Sequence, residues 1–262
     1  MSKVDISPIN DVIDQLTEII EECKTDNSPL GYFAALYRQV TIKVRDEIGK
    51  NYFDDDECMV KLDAVFAQRY LDAYHTYKSN EPTTLSWKKS FEIAGQYWYI
   101  VLQHLLMGMN AHINLDLGIA AAQVCTVDNF KDLEGDFNKI NELLAGLVGN
   151  VEEDLSNIWR FLKVLLKIAS GIDTLLANFS MELARKGAWK FAGELIEVRK
   201  KLEGKSDKII EDAINQAIKE RDLKIADFSK VITHPGFVIS TIFVLIRLGE
   251  RGTVLDKIRA LS

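Results

Sequence analysis

Apolar residues recur every three or four positions along nearly the whole chain, and no stretch alternates with the period of a strand. This pattern predicts an all-α protein, a single helical-bundle domain of about eight to ten helices. Ser7-Pro8 opens a helix with Ile9, Val12, Ile13, Leu16, Ile19 and Ile20 on one face. Ser28-Pro29 opens a second that should end at Gly49. The run FDDDECMVKLDAVFAQRYLDAYHTY continues the pattern through Met59, Leu62, Val65, Phe66, Tyr70 and Tyr74. Its acidic start lacks the alternation and glycine of a calcium loop, and suits a helix N-terminus instead.

From Ser86 to Val124 the pattern hardly breaks. One straight helix of that length would reach ~58 Å, so a break near Gly95 or Gly108 is expected. Further helices are predicted at 128–148, 151–170, 172–202, 206–221 and 236–249, with a short one at the end. Residues 1–202 read as the main helical domain and 203–262 as a C-terminal helical extension packed on it. LEGKSDK (202–208) is the most loop-like joint, and RDLKIADFSKVITHPGF (221–237) the least regular segment.

Charge and composition narrow the field. A net charge of −7 spread over 262 residues leaves no basic footprint for nucleic acid. The apolar run GFVISTIFVLIRLG is too short for a transmembrane segment, which needs about 20 residues. Cys23, Cys58 and Cys125 form no CxxC pair and suit a reducing, cytoplasmic setting as small core residues.

No lysine or arginine occurs between Lys89 and Lys131. A surface helix would carry such side chains, so the segment about 96–124 is predicted to be the central, buried helix. Its polar groups are then costly unless partnered. Six of them fall in fourteen positions: Gln103, His104, Asn110, His112, Asn114 and Asp116. At about 100° per residue, Gln103, Asn110 and Asn114 share one edge. His112 and Asp116, at i and i+4, share another, with His104 two turns away. A histidine and a carboxylate one turn apart can ligate one metal, or the carboxylate can fix the imidazole tautomer. A distortion at Gly108 could bring both sets over one pocket. Each residue taken singly also fits a satisfied core position.

Support must come from other helices. Arg69 and Tyr70 stand on a strongly apolar helix, where an arginine needs a carboxylate. Asp136 and Asn141 follow closely enough to fold back on the central helix. Ser180, Arg185 and Trp189 stand together on a later helix, and Arg185 is the favoured counter-ion for Asp116. His75 lies near a helix end and His234 at a turn before proline.

LQHLLMGMNAHINLDLGIAAA, preceded by FAQRYLDAY and SWKKSFE and followed by DFNKIN and FSMELARKGAWKFA, resembles a family of bacterial proteins catalogued only as a domain of unknown function. The resemblance supports the position of the site and implies no chemistry. A looser resemblance is to the all-helical zinc-dependent phospholipase C and nuclease group, whose His-x-x-x-Asp pair matches His112 and Asp116 in HINLD. That group's downstream histidine is replaced by Ala122, so the resemblance implies at most one divalent metal, zinc first, on His112, Asp116 and His104 with a carboxylate from elsewhere in the chain.

Three functions follow. The first is a hydrolase of a small ester or phosphoester, metal-assisted or using His104 or His112 as a base oriented by Asp116. Asn110 and Asn114 would then donate to the oxyanion, with Gln103, Tyr70, Arg69, Asp136 and Arg185 in support. The second is a non-catalytic binder of a small amphipathic molecule, lined by Tyr97, Trp98, Tyr99, Met107 and Met109. The third is a structural network that fixes long helices, in a monomer or a homo-oligomer.

Overall fold

The computed structural model describes residues 4–140, 143 and 181–262, and among these it contains ten α-helices described from end to end, further helix at 134–140, and no strand. Four helices lead to the centre: α1 (Ser7–Thr25), α2 (Gly31–Glu47), α3 (Asp56–Lys78) and α4 (Leu85–Glu92). The central rod is α5 (Val101–Ala111), a π-helical turn (His112–Asp116) and α6 (Leu117–Val124). The C-terminal part holds α7 (Met181–Lys201), α8 (Asp207–Thr233), α9 (Phe237–Gly249) and α10 (Val254–Ala260). The helix expected at 151–170, and Asn141 and Ser180, lie outside the described residues.

The starts follow local chemistry. Pro8 occupies the first turn of α1, where its missing N–H costs nothing. Asp5, not serine, serves that end by accepting from the Ser7 N–H at 2.9 Å. At α3 the Asp55 carboxylate accepts from the Cys58 N–H, and Asp56 and Glu57 sit in the first turn, so the acidic run is a helix start.

The long apolar stretch breaks at the first of the two expected places. A 3₁₀ turn, Ile93–Gly95, ends α4, and the chain is extended before α5 begins at Val101. The buried rod therefore starts five residues later than predicted, and Tyr97 and Trp98 are exposed. Gly108 does not break the helix. It lets the Phe33 ring of α2 lie against the α5 backbone, since a Cβ there would stand 2.4 Å from Phe33 Cδ2.

The second break is the π turn. Leu117 N–H donates to the His112 carbonyl, five residues back, which adds a residue to the turn and shifts the carbonyls out of α register. Arg221 of α8 donates through Nε to the Asn114 carbonyl at 3.1 Å.

Helix α7 lies along α6 and the π turn. Gly118 sets the approach: a Cβ there would meet the Ala188 carbonyl oxygen at 2.7 Å. That neighbour is backbone and cannot rotate away. Gly118→Ala should therefore cost about 2–3 kcal/mol despite alanine's better helix propensity, read as a lowered midpoint in urea denaturation.

Helix α8 runs on through the segment expected to be irregular, to Thr233. Ile225, Ala226, Ser229 and Ile232 keep its buried face in step while the intervening polar residues are solvated. Ile232, Phe243, Ile246 and Ile258 share one core cluster with α1, α2, α3 and α5. The three free cysteines are buried at Cys23 and Cys125 and half-buried at Cys58.

Candidate functional site

Asp116 closes the π turn with no solvent exposure and gathers three donors. Arg69 Nε of α3 reaches Oδ1 at 2.8 Å. Trp87 Nε1 of α4 reaches Oδ2 at 2.8 Å, and His112 Nδ1 lies 3.2 Å from the same oxygen. A carboxylate only accepts, so Nδ1 carries the imidazole proton. Burial pushes the His112 pKa down, with the Asp116 hydrogen bond opposing, so the ring is neutral and Nε2 is left with its lone pair. That nitrogen is buried and has no hydrogen-bond partner.

Rings enclose it. Phe66 of α3 stacks on the imidazole at 3.6 Å between centroids and 9° between planes. Tyr37 and Phe33 of α2 meet it edge-on at 4.5 and 5.8 Å, and Trp87 is tilted at 5.8 Å. Tyr70 follows at 6.2 Å. The buried hydroxyls of Tyr37 and Tyr70 also lack partners.

Asp63, one turn before Phe66 on the same face of α3, is buried with Oδ2 unpartnered. Burial without a counter-charge pushes its pKa up to about 7. Its charge and that of Asp116 both bear on the Tyr37 hydroxyl, although burial is the larger reason that the phenol pKa lies far above its usual value.

The other expected site residues are placed elsewhere. The Gln103, Asn110 and Asn114 edge faces α8. Gln103 Nε2 donates to the Ile232 carbonyl at 2.9 Å, and its Oε1 accepts from the Ile100 N–H at 3.2 Å. Asn110 Nδ2 donates to the Ile225 carbonyl and to Ser229 Oγ, and Asn114 Nδ2 donates to Asn110 Oδ1. Both amides are thus committed to helix packing, not aimed at an oxyanion beside His112.

His104 is buried edge-on to Tyr32. Burial pushes its pKa down to about 3, helped by the positive charges of Arg247 and Lys257. It therefore belongs to the α9–α10 end, and the expected convergence of His104 with His112 does not occur. Asp136 accepts from the Asp54 and Asp55 N–H groups and pairs with Lys139, so it clamps the approach to α3.

Arg69, not Arg185, is the counter-ion of Asp116. Arg69 stands six residues after Asp63 on the helix flanking the π turn and reaches the carboxylate directly. Arg185 is buried, and its Nε and Nη2 have no hydrogen-bond partner. Trp189 instead stacks on Phe130 at 4.2 Å.

A metal fits these donors poorly. Both Asp116 oxygens are engaged by Arg69 and Trp87, His112 Nδ1 is turned inward, and His104 lies against Tyr32 instead. Among the described residues, no group of three or more His, Cys, Asp or Glu side chains is placed to hold an ion.

The family comparison bears on the same stretch. A family model described as "Family of unknown function (DUF5995)" matches residues 9–235. The chain belongs to this family. The match spans α1 to the end of α8, and so takes in the dyad, its aromatic surround and the α8 fastening. It lends nothing to the looser likeness with zinc-dependent phospholipases and nucleases. No curated protein and no solved structure matches the chain.

The sequence reading missed Tyr37, Asp63, Phe66 and Trp87. One signal was available for Asp63: it is the only acidic residue between Met59 and Tyr70, on the stripe of α3 that carries both and Phe66. A carboxylate in such a stripe marks a buried charge or a buried acid.

Proposed function

We propose that the α2, α3 and π-turn region binds a small uncharged molecule with an apolar body and a hydrogen-bond donor, seated against His112 Nε2. The observation that carries this is the orphaned lone pair on a buried imidazole whose other nitrogen is fixed by Asp116. Leaving such an acceptor dry costs on the order of 1–3 kcal/mol, so an occupied site returns that energy as affinity. The aromatic surround supplies the apolar contact.

Phenol and toluene serve as probes that differ only in the donor. Phenol is expected to shift the ¹⁵N resonance of His112 Nε2 and to bind at least about tenfold more tightly than toluene, a difference of about 1.4 kcal/mol. In His112→Phe that preference should vanish while the helical signal persists. Equal binding of both probes, or no response at His112, would remove the reading.

One observation favours a second reading, acid–base chemistry on the bound molecule. Asp63 is held toward its protonated form and His112 toward its neutral form, the opposed displacement that separates an acid from a base. Hydrolysis of a small ester with His112 as the base, without a metal, is its concrete form. Slow turnover of p-nitrophenyl acetate that is lost in His112→Phe would support it, and equal rates in both proteins would not.

A further inference from the structure

Helix α9 is apolar on all sides, yet only one face is covered. Phe243 and Ile246 are buried in the core, whereas Phe237, Val238, Val244, Leu245 and Leu248 are exposed, Phe237 to 88%. Such a helix is ordinarily enclosed. The exposed side has a seam: Val238, Thr241, Leu245 and Leu248 follow the i, i+3, i+7, i+10 spacing of paired helices. Thr241 adds no unmet donor, because its hydroxyl bonds the Phe237 carbonyl at 2.9 Å.

The patch extends past the helix. Arg247, the single charged residue of α9, donates to the Tyr97 carbonyl and lies over the Tyr97 ring at 4.3 Å, and it pairs with Glu250. Tyr97 and Trp98, in edge contact, are 65% and 57% exposed beside it. At roughly 150–250 Å² per large side chain, these residues leave on the order of 800 Å² of apolar surface. A typical monomer's largest patch is about 300–600 Å². One partner of a standard protein interface buries about 800 Å².

We infer that this face is closed by a second copy of the chain, with α9 packed antiparallel against its mate about a two-fold axis. An isologous pair needs a surface complementary to itself. A charge-free seam meets that need without bringing like charges together. A lipid surface suits the patch less well. Membrane-surface helices carry lysine and arginine beside the apolar face. Here the one arginine is paired, and the chain has a net charge of −7. Among the described residues, no single helix is long and apolar enough to cross a membrane; α8 and α9 reach that length and composition only as a pair bent by 69°.

Sedimentation velocity of the full chain between about 1 and 100 µM tests the inference, since that range brackets a standard-sized interface of ordinary affinity. The native chain is expected to be a dimer at the upper end. Leu245→Glu with Leu248→Glu should weaken association by on the order of 100-fold or more with unchanged circular dichroism, because each change buries an unpaired charge. Val238→Glu, at the other end of the seam, gives an independent break should the double variant lose helix. A native monomer throughout, or a dimer that survives these changes, overturns the inference. Flotation of the native chain with phosphatidylcholine vesicles, with or without phosphatidylglycerol, also overturns it, in favour of a membrane.

Discussion

Replacing Asp116 by alanine is expected to destabilise the protein by about 3–5 kcal/mol, the usual cost of leaving a buried charge without its partner. Three donors lose their acceptor at once: the Arg69 guanidinium, the Trp87 indole N–H and His112 Nδ1. The Arg69 side chain is only 25% exposed and cannot fully recover its hydration. For a chain of this size the change corresponds to a melting temperature lower by on the order of 10 °C. Arg69→Met together with Asp116→Leu should recover part of that loss, since removing both partners leaves no stranded charge. An Asp116→Ala protein that melts with the wild type would show that the carboxylate does not organise the π turn.

The second large effect concerns pH and Asp63. Its carboxyl, ordinarily near 3.8, is pushed up to about 7 because burial disfavours the charged form. A folded-state value above the unfolded one means that the folded protein holds the proton more tightly. The stability it contributes is fully present below about pH 4 and is lost as pH rises through about 7. About three units at 1.36 kcal/mol each amount to about 4 kcal/mol. His112 and His104 run the other way. Burial lowers both, so their contribution is present above about 6.5 and lost as pH falls, for His104 towards about 3.

The Asp63→Asn protein isolates the first of these. Its urea midpoint should exceed that of the wild type at pH 8 and approach it at pH 4, leaving only the histidine-driven loss on the acid side. Identical pH profiles for the two proteins would mean that Asp63 is ionised and partnered in solution. An acid that weakens the fold at neutral pH is a sacrifice expected of a functional group rather than a packing group, which ties this measurement to the proposed binding site.

Both predictions rest on groups that the sequence reveals unequally. The His112–Asp116 pair was legible because a helix holds residues four apart on one side wherever it is placed. The missing lysines and arginines between Lys89 and Lys131 marked the same segment as buried. The π turn was not legible: it rests on a small balance between α and π hydrogen bonding, settled by Arg221 and the packing of α7 and α8 around it. Asn110 and Asn114 looked like site residues for the same reason as His112. Only the position of the Ile225 carbonyl and Ser229 shows that they fasten a helix.

Local spacing alone thus determined the all-helical class, the buried central rod and the pairing of imidazole with carboxylate, because these depend on contacts within a few residues along one helix. The tertiary structure decided which arginine meets Asp116, which rings enclose His112, and that His104 faces a different end. Arg69 and Arg185 stand on similar apolar helices in the sequence. Their roles separate only when the crossing of α3 over the π turn brings one guanidinium to 2.8 Å of Asp116, while Nε and Nη2 of the other have no hydrogen-bond partner among the described residues. The same holds for α9, whose composition asks for burial on all sides while the fold covers one. Distances between helices are set by how whole faces pack, and no spacing along the chain encodes them.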